Sequence, residues 1–436
     1  MALRGLEPIG ALARRHWLTM PKVELHVHLD GAFDQRLLFE AARRRLDAGT
    51  LPPAVVPFVA NKSLEDFSAQ ITCLPSDRSL RAMIDKFMIF LPIVQGQLPL
   101  LEQLAHAFVS AQAAQHVVYA EVRYSPHILT DNAAYGHLPA AGGAAGCTAR
   151  QVVEAVTRGL RRGCEEHAAV DVRQILCFID GRPEYCAELT ELAAEFQAER
   201  PCGVVGVDVA AGEEHFADSA EPAEGVADGQ LVAPAEAADL NGATHRAALR
   251  CCAAVGLAVT LHAAESGPAA NVAAAVSERY GGARRVGHGY KAVAAAVALC
   301  EPCEAAPMAA ALGKLGVPPA LTLECCPTSS FLTSGWDGSE WKQHPAAVLH
   351  KLQAAEGAPP LPKVTLSSDD PSVFGTSLTD ELMLAADEKE GMGMGVHGVH
   401  QCALNAVDAA FLDEDERRAL RARFEEAWAA WESTLK

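Results

Sequence analysis

The residues whose types and spacing could do chemistry are histidines and carboxylates placed where short apolar runs end. His26 and His28 stand in Val-Glu-Leu-His-Val-His-Leu-Asp (Val23 to Asp30). Side chains of a strand alternate between faces, so two histidines two residues apart point the same way, close enough to share one ion. On its own such a pair is also compatible with two hydrogen-bonded core histidines. Three further runs change the balance: Leu261-His262-Ala263-Ala264-Glu265, Val286-Gly287-His288-Gly289-Tyr290, and Leu366-Ser367-Ser368-Asp369-Asp370-Pro371. Burying that many ionisable groups on apolar strands is costly unless they are paired or bound to a cation, so a metal centre accounts for them economically. Imidazole and carboxylate donors with an open position for water suit zinc, while ligand type alone leaves iron, cobalt and nickel open.

The elements that must position these groups are short β-branched runs, each ending in polar residues and followed by a stretch of helical periodicity. Strands are expected at Val23 to Asp30, Val117 to Ser125, Val172 to Asp180, Val204 to Ala210, Leu257 to Glu265, Arg285 to Tyr290, Ala320 to Thr328 and Lys363 to Asp369. Helix-like segments between them, such as Leu98 to Gln115, Ala149 to His167 and Glu184 to Glu199, supply the crossovers that parallel strands require. The fold class is therefore α/β, an eight-stranded (β/α)8 barrel with additional helices over its C-terminal mouth; an open doubly wound sheet is the alternative. Barrel enzymes place their active sites at the C-terminal ends of the strands, where all these polar groups fall.

A chain of 436 residues, half of them hydrophobic and 21% charged, can bury one large core, and a single barrel domain over 1–436 is expected. Insertions are expected near 52–91, 131–148 and 216–239. The second contains an Ala/Gly segment around Ala133 to Gly146 and the third an acidic Ala/Pro segment around Asp218 to Asp239, both reading as surface loops. The first carries Leu64, Phe67, Ile71, Leu74, Met83, Ile84, Phe87 and Phe90 among polar residues, which fits either a lid or a pair of amphipathic helices beside the mouth. The tail, Glu414 to Leu435, reads as an amphipathic helix packed on the outside.

With 36 basic against 55 acidic residues the net charge is -19, which repels phosphate backbones and anionic membranes. No nucleic-acid or membrane partner is expected, and a small neutral substrate fits better. No apolar stretch is long enough for a secretory signal or a membrane span, so a cytoplasmic location is expected. The 13 cysteines are scattered through apolar runs and odd in number, as for reduced core residues. Cys300 and Cys303 have no second pair to complete a metal site, and burial near a helix end is the expected reading. Oligomeric state is not legible, and a monomer is compatible with all of this.

Met-Pro-Lys-Val-Glu-Leu-His-Val-His-Leu-Asp-Gly (Met20 to Gly31) resembles the opening signature of the adenosine deaminases. Glu121 to His127 (Glu-Val-Arg-Tyr-Ser-Pro-His), Arg285 to Tyr290, Glu324 to Ser330 and Ser368 to Pro371 resemble that family's later motifs, in the same order. The resemblance runs from about residue 20 to the C-terminus. It implies one zinc ion per chain held by His26, His28, His262 and Asp369, hydroxide made available near neutrality, and attack at carbon 6 of a purine nucleoside. It implies that Glu265 protonates ring nitrogen 1, that His288 supports the attacking hydroxide, and that Asp370 hydrogen-bonds ring nitrogen 7. His28, Asp30, Gly212 and Asp370 would contact the substrate, Gly212 through its backbone to ring nitrogen 3. Asp30 would meet the ribose 5′ end, where a carboxylate accepts from a hydroxyl and repels a phosphate; free adenosine, and with it 2′-deoxyadenosine, is favoured over AMP.

Two positions depart from the family pattern. His262-Ala263-Ala264-Glu265 has alanine where His-Ala-Gly-Glu is expected, which predicts an added methyl beside the substrate. Around Val207 to Glu213 one residue reads as inserted relative to Asp-Leu-Ala-Gly. The rivals are a related barrel acting on adenine, AMP or a 5′-substituted adenosine, and a metal-loaded nucleoside-binding protein without catalysis. A cytidine-deaminase-type zinc fold needs His-x-Glu with Pro-Cys-x-x-Cys, and the sequence has neither.

Overall fold

A computed structural model describes residues 14–131, 146–216, 240–300 and 303–435. Eight parallel strands follow one another around a barrel in sequence order: β1 (Lys22–His28), β2 (Val117–Tyr124), β3 (Asp171–Ile179), β4 (Val204–Ala210), β5 (Ala258–Ala263), β6 (Arg285–His288), β7 (Thr322–Cys325) and β8 (Lys363–Leu366). Closure comes from the residues that follow β8. The His28 amide donates to the Asp369 carbonyl at 2.8 Å, and the Asp369 amide to the His26 carbonyl at 3.0 Å. The barrel expectation holds, and the open sheet does not.

Most strands stop short of the expected ends, and β5, β6 and β8 do so beside a left-handed residue. Ala211, Ala264, His288 and Asp369, at or just beyond the tips of β4, β5, β6 and β8, have φ of +75°, +56°, +70° and +61°. A left-handed residue turns the chain out of the regular strand path, although the Asp369 backbone still pairs with β1 as it turns. Such a conformation costs a non-glycine residue about 1–2 kcal/mol, and clusters of this kind gather at functional sites.

Crossover helices enclose the barrel, among them Leu98–Ala114, Ala149–Glu166 and Cys186–Phe196. The second starts at a capping box in which the Thr148 hydroxyl accepts from the Gln151 amide and the Gln151 side chain accepts from the Thr148 amide. The tail helix, Glu414–Ser433, begins at a similar box formed by Asp413 and Glu416. It buries Leu420, Phe424, Trp428 and Trp431 along one stripe, as expected for a helix packed on the outside. No helix among the described residues is long and apolar enough to cross a membrane.

The 52–91 insertion forms three helices rather than two: Val56–Val59, Leu64–Ile71 and Leu80–Val94. Phe67 and Ile71 sit in the core while Leu74 is exposed. The Ala/Gly and acidic Ala/Pro segments lie almost wholly outside the described residues. All 13 cysteines are free; Cys300 is buried and Cys303 exposed.

Candidate active site

His26 and His28 reach the mouth together, but plain alternation does not describe the whole strand. The β1–β2 ladder slips between Glu24, opposite Ala120, and Val27, opposite Val122. This bulge lets Glu24 leave the interior, where it accepts from the Ser368 amide and from Gln112 on a crossover helix, while His26 turns inward. Gly287 makes room for that ring, because a Cβ there would lie 2.9 Å from His26 Cε1. The glycine before His288 therefore serves a neighbouring imidazole.

Nitrogens and one carboxylate oxygen converge from these strand tips. His28 Nε2 lies 3.3 Å from His262 Nε2. Asp369 Oδ1 lies 3.2 Å from His26 Nε2 and 3.5 Å from His28 Nε2. His26, His262, His288 and Asp369 each offer an atom within 4.8 Å of the others. His288 meets the group from one side, its Nε2 3.9 Å from Asp369 Oδ2 and 3.6 Å from Glu265 Oε2.

Buried carboxylates fix the far nitrogens of two rings. His26 Nδ1 lies 2.8 Å from Glu324 Oε2, and His262 Nδ1 lies 2.9 Å from Asp208 Oδ2. Arg123 bridges them, donating to Asp208 at 2.6 Å and to Glu324 at 2.8 Å. A proton held on His26 Nδ1 leaves its Nε2 lone pair facing the common space. Burial would raise Glu324, but Arg123 and Arg285 hold it well below the usual range. Asp208 and Glu324 are site residues to which the sequence reading gave no role. The cost of a carboxylate in an apolar run, which singled out the histidines, applied equally to Asp208 in Val-Val-Gly-Val-Asp-Val-Ala.

Beside this group, burial and then Asp369 push Glu265 up to about 7. Burial, and then Asp369 and Asp30, push Asp370 well above its ordinary value. Burial raises Asp30 to about 6. His28 and His288 are pulled well below theirs by burial, so both imidazoles are neutral. Burial also opposes charge on His262, but Asp208 outweighs it and raises that ring to about 9. Asp30 Oδ1 and Asp370 Oδ1 are buried without a hydrogen-bond partner. Asp370 crosses Gly31 so closely that a Cβ on that glycine would lie 1.8 Å from Oδ1.

These residues line one cavity of 360 Å³. Its roof is the Leu80–Val94 helix, through Leu80, Met83, Ile84, Phe87, Met88 and Leu91. An apolar cavity with a few convergent polar groups is what a small organic substrate needs. All nine residues singled out from the sequence come together here. His28, Asp30, Gly212, His262, Glu265, His288, Asp369 and Asp370 line the cavity, and His26 lies beneath.

The sequence profile of the adenosine deaminases matches residues 21–427. The chain belongs to the adenosine deaminase family. Adenosine deaminase of Xenopus tropicalis is 29% identical over 417 residues, covering 95% of this chain and 97% of the relative. Among solved structures, an ADAL–IMP complex superposes with a TM-score of 0.66 at 23% identity, covering 96% and 100% of the two chains. A zinc-bound amidohydrolase from Burkholderia ambifaria gives 0.61 at 22% identity, covering 100% and 97%. As a member of this family the chain is a hydrolase of purine deamination.

In this deaminase-family barrel both departures from the family pattern take a backbone meaning. Ala264 is left-handed and does not line the cavity, although Glu265 and His262 on either side of it do. The β3–β4 ladder shifts once, leaving Val205 unpaired between Val204 and Gly206, and then runs in step from Gly206 to Ala210. The left-handed position is Ala211, one residue before Gly212, and Gly212 packs against Asp180.

Proposed function

We propose that this chain hydrolyses adenosine and 2′-deoxyadenosine to the corresponding inosine and ammonia, using one zinc ion held by His26, His28, His262 and Asp369. The observation that carries the reading is the ligand spacing. Four ligands about 2.0–2.1 Å from a tetrahedral ion stand about 3.3–3.4 Å apart. The contacts of 3.2, 3.3 and 3.5 Å among these four residues have that span, and the wholly buried His26 Nε2 has no hydrogen-bond partner. His288 belongs to the same close group, and its Nε2 lies between Glu265 and Asp369, which favours an orienting role.

Bound there, zinc supplies the Lewis acidity that makes water nucleophilic near neutral pH. Glu265, raised by burial to about 7, gives its proton to ring nitrogen 1 and makes carbon 6 electrophilic. Neutral His288, beside the acid, orients the nucleophile. Burial, and then Asp369, favour the protonated form of Asp370, which as a donor suits ring nitrogen 7, an atom with only a lone pair to offer. The Gly212 amide faces ring nitrogen 3, and Asp30 accepts from the ribose 5′-hydroxyl.

The cavity supports a nucleoside over a nucleotide. Asp30 adds a carboxylate, whereas Arg182 is the one Lys or Arg among the described lining residues and already pairs with Glu184 at 3.3 Å. A spectrophotometric comparison of adenosine, 2′-deoxyadenosine, AMP, N6-methyl-AMP and adenine tests the reading. The first two are expected to turn over fastest. A clear preference for AMP or N6-methyl-AMP would overturn the role given to Asp30.

A further inference from the structure

Glu213 is a carboxylate that the chemistry above does not use, yet it is held by more donors than any group around it. Its Oε1 accepts the backbone N–H groups of Glu265, Ser266 and Gly267, each at 2.9 Å. Its Oε2 accepts the Ala264 N–H and the Asn271 side-chain amide, both at 2.7 Å. Four consecutive amides of the loop after β5 therefore converge on one side chain from the loop after β4. The wrap is close: a Cβ on Gly267 would lie 2.5 Å from Glu213 Oε2 and 2.4 Å from Asn271 Nδ2.

The same loop carries Glu265 and is bent by Ala264 at φ +56°. Residues with a Cβ enter that region at a cost, so an alanine there does not hold the bend by its own preference. Glu213 itself follows Ala211, at φ +75°. Two left-handed alanines thus flank a single carboxylate clamp. Downstream of it, Glu265 reaches Thr333 through Oε1 and faces His288 through Oε2.

We propose that Glu213 is a positioning residue: its carboxylate holds the Ala264–Gly267 backbone in the bend that presents the Glu265 carboxyl to the purine, a bend that alanine at 264 does not sustain alone. The proposal rests on the reading of Glu265 as the proton donor.

The test uses the zinc-loaded full chain. Glu213→Gln keeps the volume but turns one acceptor into a donor facing other donors. It is expected to lower kcat for adenosine about 10–100-fold, with KM changed less than about threefold and zinc content unchanged. Adding Ala264→Gly to that variant lets the loop adopt the bend without the clamp and is expected to recover at least about fivefold in kcat. A purely structural role would show instead as a lower melting temperature that glycine does not repair. Asn271→Leu, which removes one side-chain donor only, is the milder variant and is expected to lower kcat about 3–10-fold. Wild-type kcat in Glu213→Gln, or a kcat loss that Ala264→Gly leaves untouched, overturns the proposal. If Glu265→Gln is inactive while Glu213→Gln is fully active, the clamp falls and the acid assignment stands; an active Glu265→Gln removes the acid assignment first.

Discussion

The Thr333 hydroxyl donates to Glu265 Oε1 at 2.8 Å, which leaves Oε2 to carry the acid proton on the side facing His288. Glu265→Gln keeps the shape and the Thr333 contact but has no proton of suitable acidity. Turnover of adenosine is expected to fall about 10²–10⁴-fold, with zinc content and nucleoside binding retained. Stopped-time absorbance and metal analysis on one preparation check it. Activity within tenfold of wild type would remove Glu265 from the role.

The ligand cluster makes metal removal the second prediction. Dialysis against a chelator is expected to lower activity at least about a hundredfold and to lower the melting temperature, because an ion that binds only the native state stabilises it. Stoichiometric zinc should restore both. Asp208→Asn, which weakens the support of His262 Nδ1, is expected to reduce zinc affinity about 10–100-fold in a chelator competition. Unchanged affinity would separate Asp208 from the site.

Asp30 yields a prediction about substrate choice. A hydrogen bond to a charged acceptor is worth about 1.5–3 kcal/mol, so Asp30→Asn is expected to lower kcat/KM for adenosine about 10–100-fold. The same change removes repulsion of a phosphate, so the preference for adenosine over AMP should narrow. Measuring kcat/KM for both substrates on both proteins decides it, and a widened preference would contradict the placement of Asp30.

Glu381 offers a test away from the chemistry. It is buried, accepts from the Thr328 amide at 3.0 Å and the Thr376 hydroxyl at 2.6 Å, and is pushed up to about 7 by burial. A carboxyl whose folded value lies above its unfolded value stabilises the fold below about pH 4.5, and that contribution is lost as pH rises to about 7. Glu381→Gln escapes the ionisation cost. It is expected to match wild type near pH 5 and to be more stable by about 1–3 kcal/mol at pH 8, read from urea unfolding. Equal stability at both pH values would refute the burial argument.

The order of strands and the identity of the residues at their tips were determined by the sequence itself. Short β-branched apolar runs are local signals, and a histidine or aspartate on an apolar strand announces its cost wherever the strand lies. That was enough to place His26, His28, His262, His288, Asp369 and Asp370 at one end of a barrel. Tertiary structure alone decided the bulge that separates Glu24 from His26, the approach of Glu324 and Asp208 to particular ring nitrogens, and the apolar roof from Leu80 to Leu91. It also decided that Ala211 and Ala264 turn left-handed around Glu213, whose partners lie 51–58 residues further along the chain. The physical reason is that hydrogen-bond pairing between distant segments and the burial that shifts a carboxyl toward neutrality depend on which surfaces meet, and neither is encoded in the spacing of any one segment.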